Sequence, residues 1–187
     1  MGYVLLYEPM YFLLHPLDIF AVWKGGMSSH GGFIGVTLAM WWAASRQRVP
    51  IWKLADIVVV PIAIGLSFGR LGNFINYELY GTVTVLPWGI AIPGVDGLRH
   101  PTQIYSLIKD ILIAGVCFYY LTRFKPVIQG RTFALFLMMY GALRFLTEFV
   151  RAQQYPFFLG LSMGQIYTIP VFLAGLILWI WLKKQRQ

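Results

Sequence analysis

The sequence predicts an all-α polytopic membrane protein, and its composition, its apolar runs and its basic clusters each support this fold class. Of the 187 residues, 58% are hydrophobic and only 12% are charged, whereas soluble domains carry about 25% charged residues. The net charge of +8 does not indicate a nucleic-acid partner. Its basic residues are grouped between apolar runs, which is the pattern that membrane orientation produces.

Five apolar stretches come close to the length of about 20 residues that a membrane span needs. They lie near residues 31–46, 54–76, 103–122, 132–150 and 163–182. We expect them to form a single membrane domain over residues 1–187. The first stretch is short and follows several glycines. The N-terminal stretch does not read as a signal peptide, because no basic region leads it and Glu8 interrupts its apolar run.

The basic clusters predict the orientation of the spans. They lie at alternate ends, in residues 46–53, 123–131 and 183–187, and such clusters face the cytoplasm. The C-terminus is therefore expected in the cytoplasm and residues 77–102 outside. This outward segment combines prolines and glycines with alternating apolar residues, which predicts a small extramembrane cap with short strands.

The stretch "GLSFGRLGNFINYELYG" places four polar side chains at the end of the second span, namely Arg70, Asn73, Asn76 and Glu78. A charge at membrane depth costs at least ~2.5–3.5 kcal/mol. One interpretation is an arginine that reaches back to the membrane interface. The other is a site for an anion such as phosphate, which arginine binds with two parallel hydrogen bonds.

A second polar cluster lies in "YGALRFLTEFVR", where one helix face would carry Tyr140, Arg144, Glu148 and Arg151. These residues could form a structural ion-pair ladder. However, Glu148 can neutralise only one of the two arginines, so a positive charge remains. Two arginine clusters at similar depth suggest one shared anion site.

Several further polar residues lie in or near the spans. His30, in "GGMSSHGG", is either a packed residue or a general base, since histidine exchanges protons near neutral pH. In "RHPTQIYSLIKDIL", one helix face carries Gln103, Ser106 and Asp110. Asp110 needs a partner, and the adjacent Lys109 is expected to be poorly placed for it. Asp56 is expected to be a cap or structural residue.

The single cysteine, Cys117, lies within an apolar run, and no metal-ligand spacing surrounds it. It is expected to be a small core or lipid-facing residue, and no metal site is expected.

The stretch "GRLGNFINYELYG" resembles the signature of the prolipoprotein diacylglyceryl transferases, which are bacterial membrane enzymes. Its defining positions are occupied by Gly69, Arg70, Asn73, Phe74, Asn76, Glu78 and Gly81. Four further blocks resemble the family in the expected order, namely "GGMSSHGG", "RHPTQIY", "YGALRFLTEFVR" and "SMGQI". The resemblance covers essentially the whole chain.

This resemblance implies a transferase without cofactors in the bacterial cytoplasmic (inner) membrane, with its active site toward the outer leaflet. The enzyme would move the diacylglyceryl group of phosphatidylglycerol to the lipobox cysteine thiol in the signal peptide of a preprolipoprotein. Glycerol phosphate would leave, as the first step of lipoprotein maturation. The implied partners are phosphatidylglycerol, the preprolipoprotein signal peptide and membrane lipids.

The resemblance also implies roles for particular residues. The catalytic group would comprise Arg70, Arg144, His30 and Glu148, with His30 as the base. Substrate would be bound by Asn73, Asn76, Glu78, Gly81, Gln103, Tyr140 and Arg151.

Two departures from the family pattern bear on activity. Compared with the family pattern, the chain is expected to begin late, without the two further N-terminal helices, and to be a fragment, a reduced member or a chain with an unusual start. Ser106 stands where the family often has an acidic residue, and Asp110, one turn further on, could take that role. The alternative functions are a catalytically impaired lipid-binding remnant and an anion or lipid transporter. A transporter predicts internal repeats or broken helices, and the sequence shows no repeat.

Overall fold

The computed structural model describes residues 29–124, 128–152 and 160–184, with side chains from residue 35 onward. The chain divides into two compact units, residues 1–54 and 55–187. The expectation of a single membrane domain stays a prediction.

Helix α1, in the first unit, spans Ser29–Gln47. It ends where Arg48 adopts a left-handed φ of 54° and Pro50 cannot donate a backbone hydrogen bond. The predicted helix over 31–46 is therefore confirmed. Its status as a membrane span is not, because α1 is not among the helices of the described chain that are apolar enough to cross a bilayer. Glycines at its start and polar residues at its end lower its hydropathy.

Within the described ranges, four helices are long and apolar enough to cross a membrane. They are α2 (Ile51–Ile75), α3 (Thr102–Arg123), α4 (Arg131–Thr147, followed by a 3-10 turn over Glu148–Val150) and α5 (Met163–Lys184). Their positions confirm the four predicted spans between 54 and 182. Large apolar side chains cover their outer faces; Phe68 and Ile177 are 68% and 66% exposed. Lipid hydrocarbon suits such faces, so the chain is a membrane protein.

The buried core of the second unit is built from small and β-branched side chains. It comprises Val59 and Ala63 of α2 with Ile113, Ala114 and Cys117 of α3, and residues of α4 pack against it. Cys117 is fully buried, which confirms its interpretation as a small core residue.

Glycines set the distance between α4 and α5. A Cβ atom at Gly141 would lie 2.9 Å from the Phe172 Cβ, and one at Gly175 would lie 2.9 Å from the Ala134 carbonyl oxygen. Such approaches leave no room for a side chain. Small residues commonly let membrane helices pack this closely.

Asp56 joins α2 to the start of α4. Its Oδ2 accepts a hydrogen bond from the Gly130 N–H (2.7 Å) and its Oδ1 accepts one from the Phe133 N–H (2.8 Å). Backbone donors at the first turn of a helix generally lack acceptors within that helix, and Asp56 supplies two acceptors here. The interpretation of Asp56 as a cap is confirmed.

The segment between α2 and α3 contains the predicted short strands. Strands β1 (Ile90–Ile92) and β2 (Val95–Arg99) form an antiparallel hairpin, and Gly94 adopts a φ of 75° in its turn. The Trp88 Nε1 donates to the Tyr105 hydroxyl (2.8 Å), which fixes the hairpin to α3.

The same segment is also tied to the end of α4. Gly81 and Arg151 form an isolated antiparallel bridge, and the Thr82 N–H donates to the Val150 carbonyl (2.9 Å). This pairing brings the chain after α2 beside the chain after α4, where the two predicted polar clusters lie.

Candidate functional site

Arg70 begins a chain of polar contacts at the end of α2. Its side chain is 23% exposed, and its Nε lies 4.0 Å from Oδ2 of the buried Asp110. Its Nη1 donates to the Asn73 Oδ1 (3.5 Å). The Asn73 amide in turn donates to the Glu78 Oε2 (2.9 Å). Arg70 is therefore held from two sides, and three of its five N–H donors lie outside these contacts.

The turn after α2 is held in an unusual backbone conformation. Tyr77 and Leu79 adopt left-handed φ angles of 55° and 56°, which are uncommon outside glycine. The Gln103 Nε2 donates to the Glu78 carbonyl (2.6 Å), and the Thr102 hydroxyl donates to the Leu79 carbonyl (2.7 Å). Side chains at the start of α3 thus hold the segment 77–79 in place through its carbonyl groups.

Glu148 organises the second cluster. Its Oε2 lies 2.8 Å from Nη2 of Arg144 and 3.8 Å from Nη1 of Arg151. Its side chain is only 5% exposed. A Cβ atom at Gly164 would clash with the Glu148 carboxylate, so this glycine makes room for the carboxylate.

The sequence predicts that the second cluster lies on one continuous helix. In the structure it does not. Helix α4 ends at Thr147, the chain tightens into the 3-10 turn, and Arg151 is extended with a ψ of 138°. The physical reason is the pairing of residues near 151 with the chain near 81. This pairing turns Arg151 away from the helix and toward the end of α2.

One cleft brings the two clusters together. It is lined by Arg70, Leu79, Thr102, Gln103, Ser106, Arg144, Thr147 and Arg151. The juxtaposition of Arg70 and Arg144 in one cavity, which the shared-site hypothesis requires, is therefore present. The volume of the cleft is about 10 Å³, which is close to the space that one water molecule needs. A phosphate group would bind at its mouth, or after the side chains move apart.

The charges around the cleft do not balance. In the described part of the chain, four cations (Arg70, Lys109, Arg144 and Arg151) meet two carboxylates (Asp110 and Glu148) through the ion pairs of this region. Among the described residues, these cations outnumber the nearby carboxylates even when Glu78, which Asn73 links to Arg70, is counted. Burial lowers the pKa of the Arg151 guanidinium, and the positive charge of Arg144 lowers it further, whereas Glu148 raises it. A bound anion would relieve this crowding.

Three other predicted site residues with described side chains, Gly81, Asn76 and Tyr140, do not line the cleft. Gly81 is packed by backbone, since a Cβ there would lie 2.5 Å from the Val150 carbonyl oxygen. Asn76 is exposed and does not line the cleft. The Tyr140 ring lies under the Lys109 Nζ at 4.5 Å from the ring centroid. The side chain of His30 lies outside the described residues, so its role stays a prediction.

Lys109 lies closer to Asp110 than helical spacing predicts. Its Nζ contacts the Asp110 Oδ1 directly, and both side chains are at least 95% buried. The expectation that Lys109 is poorly placed for Asp110 is wrong, because its long flexible stem lets the ammonium group turn back toward its neighbour. Helical spacing alone carries no signal of this contact. Gly164 was also missed, although it lies in the quoted block "SMGQI".

No cluster of three or more histidine, cysteine, aspartate or glutamate side chains suited to a metal ion occurs in the described ranges. The cleft is lined by arginine, amide and hydroxyl groups, which suit a bound oxyanion.

Comparison with known proteins identifies similar sequences along almost the whole chain. The pattern of a family described as prolipoprotein diacylglyceryl transferase matches residues 1–181. A phosphatidylglycerol–prolipoprotein diacylglyceryl transferase of Polynucleobacter asymbioticus is 44% identical, over 95% of this chain and 69% of the relative. The proteins of the same name in Bordetella parapertussis and Polaromonas naphthalenivorans are 46% and 42% identical, over 94% and 97% of this chain and 68% and 69% of their own lengths.

Proposed function

Because the chain belongs to the prolipoprotein diacylglyceryl transferase family, we propose that it transfers a diacylglyceryl group from phosphatidylglycerol to a prolipoprotein. The observation that carries this proposal is the cleft where Arg70, Arg144 and Arg151 meet beside membrane-spanning helices. Phosphatidylglycerol has an anionic phosphate and two apolar tails. A cationic cleft next to lipid-facing helices suits both parts of such a molecule.

The proposed acceptor is the thiol of the lipobox cysteine in the signal peptide. In the reaction, the thiolate sulfur forms a bond to the terminal glycerol carbon of the diacylglyceryl group. The bond between that carbon and the phosphate oxygen breaks, and its electron pair leaves with glycerol phosphate. The thiol proton passes to a base, for which His30 is the candidate from the sequence.

Arg70 and Arg144 have the roles that the geometry supports best. Each keeps N–H donors beyond those used by Asn73 and Glu148, so each can hold a phosphate oxygen. Preorganised donors aimed at developing charge contribute roughly 2.7–4 kcal/mol each in other enzymes. Because the phosphate is charged before the reaction, part of this interaction stabilises bound substrate as well as the transition state.

The remaining residues would shape the site. Glu148 orients Arg144 and Arg151, and Asn73 links Arg70 to Glu78. Gln103 holds the turn after α2. Gly81 keeps this turn close to the chain near Arg151.

The proposed location is the bacterial cytoplasmic membrane, with the active site toward the outer leaflet. The basic residues Lys183 and Lys184 in the last turn of α5 support a cytoplasmic C-terminus. The cleft lies at the opposite ends of the helices, near the end of α2 and the start of α3.

The test is transfer in a defined membrane. The purified full chain is placed in phosphatidylglycerol vesicles with a peptide that carries a lipobox cysteine, and mass spectrometry follows the peptide. We expect a mass increase of one diacylglyceryl group, together with release of glycerol phosphate. Vesicles of phosphatidylethanolamine, and a peptide with serine in place of the cysteine, serve as controls.

The alternatives give different results in the same system. A lipid-binding remnant would bind phosphatidylglycerol without transfer, and a transporter would carry anions across the vesicle membrane without modifying the peptide. Either result would overturn the proposed function.

A further inference from the structure

Two buried charges of opposite sign lie side by side in α3, next to the cleft. Asp110 is 1% exposed and Lys109 is 5% exposed. A buried carboxylate is unfavourable unless it is paired, and a pair of adjacent buried ions often adds no net stability compared with apolar side chains. Simple packing of α3 therefore does not explain why both charges are present.

The two oxygens of Asp110 face different cations. Oδ1 contacts the Lys109 ammonium group, whereas Oδ2 faces Nε of Arg70 at 4.0 Å. Among the described residues, Oδ2 has no hydrogen-bond partner. A movement of about 1 Å would convert this ion pair into a charge-assisted hydrogen bond, whose length is about 2.7–2.9 Å.

The Lys109 side chain is itself held on its other side. Its Nζ lies 4.5 Å from the centroid of the Tyr140 ring, which favours the cation. Tyr140 belongs to α4 and stacks on Phe136. The sequence of contacts from Tyr140 through Lys109 and Asp110 therefore links α4 to the guanidinium group of Arg70.

We propose that Asp110, held in place by Lys109, is a positioning residue for Arg70, and that it draws Nε toward α3 so that the free N–H donors face the cleft. This inference rests on the proposed function, because it assigns Arg70 to the phosphate of phosphatidylglycerol. Asp110 touches no substrate in this proposal and acts through Arg70. The rival explanation is that Asp110 serves only to neutralise Lys109.

Paired substitutions separate these two explanations. Asp110→Asn leaves the Lys109 charge buried without its carboxylate, so we expect a lower unfolding temperature. Lys109→Met with Asp110→Asn removes both charges and replaces the lysine by an apolar side chain of similar length. We expect the double variant to regain most of the unfolding temperature that Asp110→Asn loses. Arg70 still lacks the Asp110 carboxylate in this variant.

The deciding measurement is the affinity for phosphatidylglycerol in detergent micelles. It is obtained by titrating the protein with the lipid and recording intrinsic tryptophan fluorescence. We expect the double variant to bind about tenfold more weakly than the parent, a loss typical of positioning contacts. The same two substitutions in an Arg70→Ala background should change the affinity less than about twofold, because Asp110 then has nothing to position. Asp96→Asn, at an exposed position of β2, is the matched control and should leave affinity unchanged.

Two results would overturn the proposal: a double variant that binds phosphatidylglycerol as tightly as the parent, or an equal loss of affinity in the Arg70→Ala background. Failure of the proposed function gives a different result. In that case the parent chain transfers nothing to the lipobox peptide, whereas the pattern of affinities among these variants still decides the role of Asp110.

Discussion

At the scale of the residue, the three arginines of the cleft differ in how protein partners hold them. Arg70 is contacted at Nε and Nη1, Arg144 at Nη2, and Arg151 at Nη1. The contacts of Arg70 and Arg144 restrain their guanidinium groups and leave further N–H donors of these two residues available. A lysine at the same position keeps the charge but cannot hold two oxygens in one plane.

We predict that Arg70→Lys and Arg144→Lys each reduce kcat/KM for lipid transfer about 10²-fold or more, as loss of a preorganised donor does. Because both residues act on one phosphate, the double variant should lose much less than the product of the two single losses. Transfer to the lipobox peptide in vesicles measures these rates. Arg123→Lys, at the exposed end of α3, should be neutral, and multiplicative losses would argue against a shared site.

His30 carries a second prediction at this scale. If it is the base, His30→Ala should lower the rate of transfer by about 10²–10⁴-fold and leave the affinity for phosphatidylglycerol nearly unchanged. Initial rates at saturating lipid, together with lipid titration, separate the two effects. Retention of most activity in His30→Asn would show that the histidine only packs and that another group takes the thiol proton.

At the scale of the element, the start of α5 determines where the Glu148 carboxylate can lie. Gly164 is in the first turn of α5, and the carboxylate occupies the space that any side chain there would fill. Glu148 cannot simply move into water, because it is buried and paired with Arg144. The position of α5 is thereby coupled to the geometry of the arginines.

We predict that Gly164→Ala lowers both stability and activity. The added methyl group would force Glu148 away from Arg144, and overpacking of this kind costs about 1–3 kcal/mol. Thermal unfolding in detergent and the transfer assay measure the two effects. Gly115→Ala is the matched control, since no atom lies within 4 Å of its Cβ position, and it should be neutral or slightly stabilising. Equal behaviour of the two variants would contradict this prediction.

The elements themselves could be predicted well from the sequence, because apolar runs of membrane length carry a strong signal. Spans expected at 103–122 and 163–182 are observed as Thr102–Arg123 and Met163–Lys184. At α1 the predicted helix is observed, but its status as a span is not confirmed, since it is not among the described helices that are apolar enough to cross a membrane. The span expected at 132–150 is observed as Arg131–Val150, but Arg151 leaves the helix because its backbone pairs with Gly81, and this pairing has no counterpart in helical periodicity.

The candidate site was predictable in its charges and less so in its contacts. Intramembrane arginines are conspicuous in a sequence with few charged residues, so Arg70, Arg144 and Glu148 could be singled out. The contact of Lys109 with Asp110 depends on side-chain rotamers, and the fit of Gly164 against Glu148 depends on the packing of two helices. Neither follows from spacing along one helix.

At the scale of the whole molecule, the four membrane helices and the positive-inside tendency define an expected orientation. The N-terminal end of α2 and the connection between α3 and α4 carry basic residues, as does the last turn of α5. The hairpin and the cleft then lie at the opposite membrane surface. A site at that surface would meet an acceptor peptide that has already crossed the membrane.

The last prediction concerns this orientation. Cysteine substitutions at exposed positions test it in intact cells. The native Cys117 is buried, so its background labelling should be low. Val85, which is 97% exposed, should be labelled by a membrane-impermeant thiol reagent when replaced by cysteine. Gln129→Cys, an exposed position in the connection between α3 and α4, should react only after the cells are opened. Labelling of position 129 in intact cells, with position 85 silent, would invert the orientation and place the arginine cleft toward the cytoplasm.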